Sequence, residues 1–269
     1  MKKSFFLRTL LGAITIVTCA AHDISTHDHL HHHMHSYDSH SDDHHKAHWG
    51  YGKDNGPKQW GKLDEAYKLC DLGHNQSPIS IPTHSAQKSA HALKTAYLAN
   101  SVEFINNGHT LQVNYKNSGE LLYENKPYEL LQFHFHTPSE TYIDQKGYPL
   151  EIHFVNKSAN DTLLVLAVLV KEGKANKHFS QLIAHLPEKE GQSVALKGFN
   201  PTNLLPKKLG YYAFDGSLTT PPCSEMVQWV VLKDYIFASK EQIEALHRIL
   251  QDNARDLQEL NDRVIKVAN

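Results

Sequence analysis

Residues 131–140 read LQFHFHTPSE. Two imidazoles alternate with two phenylalanines, and that pattern restricts the local fold sharply. In a strand, side chains at i and i+2 share a face. His134 and His136 therefore project together, while Phe133 and Phe135 enter the opposite face. The stretch LEIHFV at 150–155 repeats the arrangement, with Glu151, His153 and Val155 on one face and Ile152 and Phe154 on the other. The connection 137–149 holds two prolines and a glycine, so the two strands can be neighbours and three imidazoles can converge.

The surrounding chain also reads mostly as strand. VEFINNGHTLQVNY is two alternating runs about Asn107-Gly108, a strong hairpin signal, and His109 leaves that turn on the second strand. TLLVLAVLV is a continuous apolar run between Asp161 and Lys171-Glu172-Gly173, as expected of a buried central strand. MVQWVVL is another strand. The clearest helix is SKEQIEALHRIL, where Ser239 and Gln242 have capping-box spacing and Ile243, Leu246, Ile249 and Leu250 share a face. With no internal repeat, the reading is a single mainly β (α+β) domain with a few short peripheral helices.

The N-terminus is different. Lys2, Lys3 and Arg8 precede an apolar run from Leu10 to Cys19, followed by small residues to Ala21. Residues 1–21 are expected to be a secretory signal peptide, too short for a permanent span; a lipid anchor at Cys19 is disfavoured because Thr18 precedes it. Residues 22–48 hold 11 of the 21 histidines and five aspartates, and are expected to be a disordered His/Asp-rich tract. The folded domain is expected over 49–269. Net charge is −2, with no basic excess, and nothing argues for nucleic acid or an anionic membrane as partner. Export, periplasmic or fully secreted, leaves Cys70 and Cys223 as an even pair in an oxidising compartment, where a bridge is expected.

A single buried histidine is ordinarily a hydrogen-bonded core residue. Three on apolar strands are costly to bury unpaired, and a metal ion that uses their lone pairs removes the penalty. Neutral nitrogen ligands suit zinc, and three of them leave an open fourth position, as in catalytic sites. Each ligating imidazole also needs an acceptor for its other N–H. Gln132 and Glu151 share the histidines' faces and can serve.

QFHFHTPSE, EIHFV and GSLTTPPCSEMVQWVVL together resemble the motifs of the alpha-class carbonic anhydrases. WGYGKDNGPKQW at 49–60, NQSPI at 75–79 and NNGH at 106–109 are similar to further blocks of that family in the same order. The resemblance implies a large, mostly antiparallel, twisted central sheet and reversible hydration of carbon dioxide to bicarbonate and a proton. It implies a zinc ion on His134, His136 and His153, with Gln132 and Glu151 behind His134 and His153. Thr219 would accept the hydrogen bond of a zinc-bound hydroxide and donate to Glu140. His109 would be the proton shuttle, and Val155, Val165, Leu218, Thr220 and Trp229 would line the substrate pocket. Cis bonds are implied at Ser77-Pro78 and Pro221-Pro222, and a homodimer is left open.

Two departures stand out. Thr141 occupies a position where the family usually has histidine, and RDLQE at 255–259 lacks both prolines of the family's Arg-Pro-x-Gln-Pro segment. Two other readings compete with turnover: a carbonic-anhydrase-like binding module, and a zinc-sequestering protein built around the tract. The retained histidines, Thr219, Glu140 and His109 argue against both as the sole role.

Overall fold

The computed structural model describes residues 48–269. Cys19, the proposed leader and all of the histidine-rich tract but His48 lie outside the described residues. Among those described, the dominant feature is a thirteen-stranded mixed sheet. Its main path runs Ser193–Phe199, Asn100–Asn106, Leu111–Asn114, Lys126–His136, Leu150–Lys157, Leu163–Glu172, Glu225–Leu232, Tyr211–Ser217, Lys266–Ala268 and Gln87–Lys88. Most neighbours are antiparallel, as expected. The central Leu163–Glu172 and Glu225–Leu232 strands pair in parallel, with Val165 opposite Trp229.

The register explains the two faces. His134 lies opposite His153, and His153 opposite Ala167. Gln132 lies opposite Val155, which in turn lies opposite Val165. One face thus carries the polar row and a short apolar wall. The other carries Phe133, Phe135, Ile152, Phe154, Leu164, Leu166 and Val168, all fully buried in the main core. At about 25 cal/mol per Å² of apolar surface, that second face supplies the driving force that pins the register. A one-residue slip would send the phenylalanines into the polar row.

The Asn107-Gly108 hairpin forms as the sequence predicts, joining Asn100–Asn106 to Leu111–Asn114. Asn107 Oδ1 accepts from the backbone N–H groups of His109 and Thr110 at 3.0 and 2.9 Å, and Gly108 takes φ +84°, a conformation open to glycine. The helix Lys240–Leu250 starts on the expected capping box of Ser239 and Gln242. Short helices Trp60–Leu63 and Leu69–Leu72 lie in the N-terminal part of the described chain, where Cys70 is bonded to Cys223. Cis peptides occur at Ser77-Pro78 and Pro221-Pro222, and also at Thr137-Pro138. No helix among the described residues is long and apolar enough to cross a membrane.

Candidate active site

Strand alternation brings His134, His136 and His153 together on the polar face, one ring nitrogen of each lying within 4.8 Å of the others. The remaining nitrogens are held from behind. His134 Nδ1 donates to Gln132 Oε1 at 2.8 Å, and His136 Nδ1 donates to the Asn253 carbonyl at 2.8 Å. His153 Nε2 lies 3.0 Å from Glu151 Oε1, close but not aligned as a regular hydrogen bond. His136 Nε2 is buried with no hydrogen-bond partner. Such an orphaned nitrogen is costly in a protein interior, and a metal ion is the ligand that removes the cost.

Electrostatics point the same way. Burial and the two neighbouring imidazoles push His134 well below its ordinary pKa, although the residue is not fully buried. Burial also lowers His136. Both are therefore neutral near pH 7, with lone pairs free to ligate. Burial would push Glu151 up, but the adjacent His153 and the Thr141 backbone N–H bring it below the ordinary carboxylate value. Glu140 is different: burial raises it to about 7, against the pull of His153, the Arg255 backbone N–H and the Thr219 hydroxyl. Its Oε1 accepts from Arg255 N at 2.8 Å, while Oε2 faces His136 Nε2 at 3.5 Å and His153 Nδ1 at 3.9 Å.

The other expected site residues fall around this centre. Val155, Val165 and Trp229 form one row across three strands, and Leu218 packs into the same apolar cluster. The Trp229 ring stands edge-on to His153 at 4.9 Å, and its N–H donates to the Ser217 carbonyl at 2.9 Å. Thr219 and Thr220 sit on the loop that ends at Cys223, whose N–H donates to the Thr220 carbonyl at 2.9 Å. His109 stacks on Trp49, with ring centroids 3.7 Å apart and planes 8° from parallel; the His48 ring lies 6.3 Å away. Burial and His48 lower the His109 pKa, and Glu190 opposes them.

Three contributors have no counterpart in the sequence reading. Asn253 accepts from His136 through its carbonyl, and its amide donates to the carbonyls of Phe135 and His109 at 3.0 and 3.2 Å. Arg255 links Glu140 to the segment around the disulfide. Tyr51 is raised well above its usual pKa by burial and by Glu140, whose charge it senses. None sits in a periodic element, so period and face could not reveal them.

A twisted sheet presenting three converging imidazoles, backed by Gln132, the Asn253 carbonyl and Glu151, forms a three-histidine group able to hold a metal ion. A family model for eukaryotic-type carbonic anhydrase matches residues 55–269. A carbonic anhydrase of Neisseria gonorrhoeae is 40% identical over 264 residues, covering 97% of this chain and 98% of its own. The alpha-carbonic anhydrase of Thermovibrio ammonificans, solved with the inhibitor sulfanilamide, aligns with TM-score 0.80 at 41% identity, covering 82% of this chain and 99% of that one. That of Photobacterium profundum aligns with TM-score 0.76 at 42% identity, covering 81% and 100%. The chain belongs to the alpha-class carbonic anhydrase family. Enzymes of this class use zinc, and the three histidines here are positioned to hold a metal ion.

Proposed function

We propose that this chain catalyses the reversible hydration of carbon dioxide to bicarbonate and a proton, with zinc held by His134, His136 and His153. The observation that carries the reading is the convergence of three imidazoles around a buried, otherwise partnerless His136 Nε2. A bound zinc ion supplies Lewis acidity that lets a water ionise near neutrality; carbonic anhydrase is itself the reference case for that magnitude.

The chain's own groups do the rest. Gln132, Asn253 and Glu151 fix the three rings so that their free nitrogens face one point. With a dication held beside it, Glu140 would be ionised and could only accept, so it would draw the Thr219 proton toward itself and leave the Thr219 lone pairs facing the cavity. Val155, Val165, Leu218 and Trp229 offer a small apolar wall suited to carbon dioxide, with Thr220 at its rim. His109, on the exposed hairpin turn, carries the released proton outward, since imidazole titrates near pH 7. Its stack on Trp49 holds the ring in one orientation.

Residues 1–21 are an export leader in this reading, and 49–269 the catalytic domain in the periplasm or outside the cell. The Cys70–Cys223 bond suits such a compartment. The tract at 22–48 gathers zinc for the domain it is joined to. Its clustered histidines and aspartates are divalent-metal ligands, and tethering raises their local concentration. A tract whose composition cannot support a packed core must be ordered by the metal it binds, so its affinity should be lower than that of the three-histidine site.

Stopped-flow hydration of carbon dioxide, with and without chelator, tests the main reading. Alanine at His134, His136 or His153 should abolish hydration and release zinc; full rate with normal zinc in any of them would refute the coordination. Deleting 22–48 should leave the zinc-loaded rate unchanged but slow reactivation of metal-free enzyme at low zinc. Equal reactivation rates would remove the tract's proposed role.

A further inference from the structure

The strand Lys126–His136 ends on one of the three converging histidines, and Thr137 follows it directly. Thr137 is buried, and every polar group it carries is bonded. Its N–H donates to Asn253 Oδ1 at 2.8 Å, and its carbonyl accepts from the Asn253 N–H at 3.1 Å. Its hydroxyl donates to the Gln251 carbonyl at 2.7 Å. With that proton committed, the Oγ1 lone pairs are left to accept from His247 Nδ1 at 3.3 Å. The two main-chain bonds ask nothing of the side chain at 137. The two bonds at Oγ1 require a hydroxyl.

That hydroxyl acts where the chain changes direction. The helix Lys240–Leu250 ends at Gln251, which takes φ +53°, a left-handed value uncommon for a residue with a side chain. Such a conformation persists only where its surroundings fix it. Here the Gln251 N–H donates to the His247 carbonyl at 2.7 Å, and the Gln251 carbonyl is held by Thr137. Two residues further on, the Asn253 carbonyl accepts from His136 Nδ1 at 2.8 Å. The direction in which the chain leaves Gln251 therefore sets where that carbonyl points. We propose that Thr137 is a positioning residue for the metal centre: its hydroxyl fixes Gln251, and so aims the Asn253 carbonyl that holds the His136 ring. Gln251 is exposed, so without the hydroxyl its carbonyl can turn to water at little cost to the fold. The Asn253 side chain keeps its bonds to the Thr137 N–H and the Phe135 carbonyl, so the acceptor of His136 is misaimed rather than lost. The proposal rests on the three-histidine reading of the site.

The test compares Thr137→Val, which keeps the shape and removes the hydroxyl, with Thr137→Ser, which keeps the hydroxyl and removes the methyl. The readouts are zinc release from holoenzyme into excess chelator, the visible spectrum of the cobalt-substituted protein, and hydrogen exchange at the Asn253 N–H. Loss of a group that supports a metal ligand typically costs about 10–100-fold in metal affinity. Because Thr137 acts through Asn253, the valine change should speed zinc release about tenfold, the lower end of that range. It should also shift the cobalt spectrum and speed exchange at Asn253, and serine should restore all three. A valine variant that releases zinc at the parent rate overturns the proposal, even if Asn253 exchanges faster, because the segment would then move without disturbing the metal. So does a serine variant that releases zinc as fast as valine, since the methyl would then be what matters. Should valine fail to fold, Thr137→Ala against Thr137→Ser makes the same comparison. A parent protein that carries no zinc overturns the three-histidine reading, and this proposal with it.

Discussion

Arg255→Leu should cost far more than its position in an irregular segment suggests. The guanidinium is 4% exposed and spends its donors on three acceptors. Nη1 donates to Gln76 Oε1 at 2.9 Å and to the Ser77 carbonyl at 2.7 Å, and Nη2 donates to the Cys70 carbonyl at 2.7 Å. The Trp60 ring adds a cation–π contact at 5.8 Å. Burial lowers its pKa to about 10, still well above neutrality, so the group is charged at pH 7. Leucine would fill much of the volume but strand three buried acceptors at about 1–3 kcal/mol each. Relief from desolvating a cation returns part of that, leaving a net loss of about 3 kcal/mol. For a domain of this size the melting temperature should then fall by about 6–12 °C. Arg255→Lys keeps the charge but not the fork, and should fall between parent and leucine. The Arg255 contact to Glu140 is a backbone N–H and survives both changes, so zinc content should stay normal. Urea unfolding of oxidised, zinc-loaded protein, followed by tryptophan fluorescence, reads the difference. A leucine variant within 1 kcal/mol of the parent would refute the reasoning, since the three acceptors would then have found other donors (within about the error of the method).

Three further outcomes are expected. His109→Ala should slow turnover at least tenfold in weak buffer, a modest share of the effect usual for a positioned acid–base group, and added imidazole should restore it; an unchanged rate would mean the proton leaves another way. Reducing the Cys70–Cys223 bond, whose cysteines are 153 residues apart, should lower thermal stability, with about 5 kcal/mol as the chain-entropy ceiling, while zinc stays bound; an unchanged melting curve in reductant would count against it. In metal-free protein, Glu140→Gln should match the parent at pH 4 and exceed it by roughly 3 kcal/mol at pH 7.5. The sign follows from the raised carboxyl: its favourable protonated state is fully populated below the usual value of 4.5 and is lost as pH rises through about 7. Urea titrations of both apo-proteins at the two pH values check it, and parallel pH dependences would show that Glu140 does not titrate there.

The parts of the site that repeat with period two were legible. Alternation alone put His134 with His136, and His153 with Glu151, on defined faces, because a strand leaves no other choice. Asn107-Gly108 fixed the hairpin that presents His109. What alternation cannot give is which strands lie side by side. The pairing of His134 with His153 depends on the 137–149 connection, and the parallel pairing of Val165 with Trp229 joins strands about sixty residues apart. Those registers are decided by apolar burial on the far face, where Phe133 and Phe154 are also paired, and not by any local signal.

The least legible part is the stretch from 251 to 264, which contains no helix or strand. Its family-like prolines are missing, so its shape was open from sequence. The structure shows a different means of ordering it. Asn253 bonds to both sides of the Thr137 peptide region, Arg255 to Cys70, Gln76 and Ser77, and the Gln258 N–H to the Pro78 carbonyl at 2.8 Å. Proline would restrict the segment by removing freedom from the unfolded chain. These buried polar bonds restrict it by making any displaced conformation leave carbonyls unsatisfied. The two devices differ in one respect that matters for the site. A proline acts on its own backbone, whereas Asn253 and Arg255 tie the segment to His136 and Glu140, so the same bonds that order the loop also hold one of the three converging imidazoles and the buried acceptor beside it.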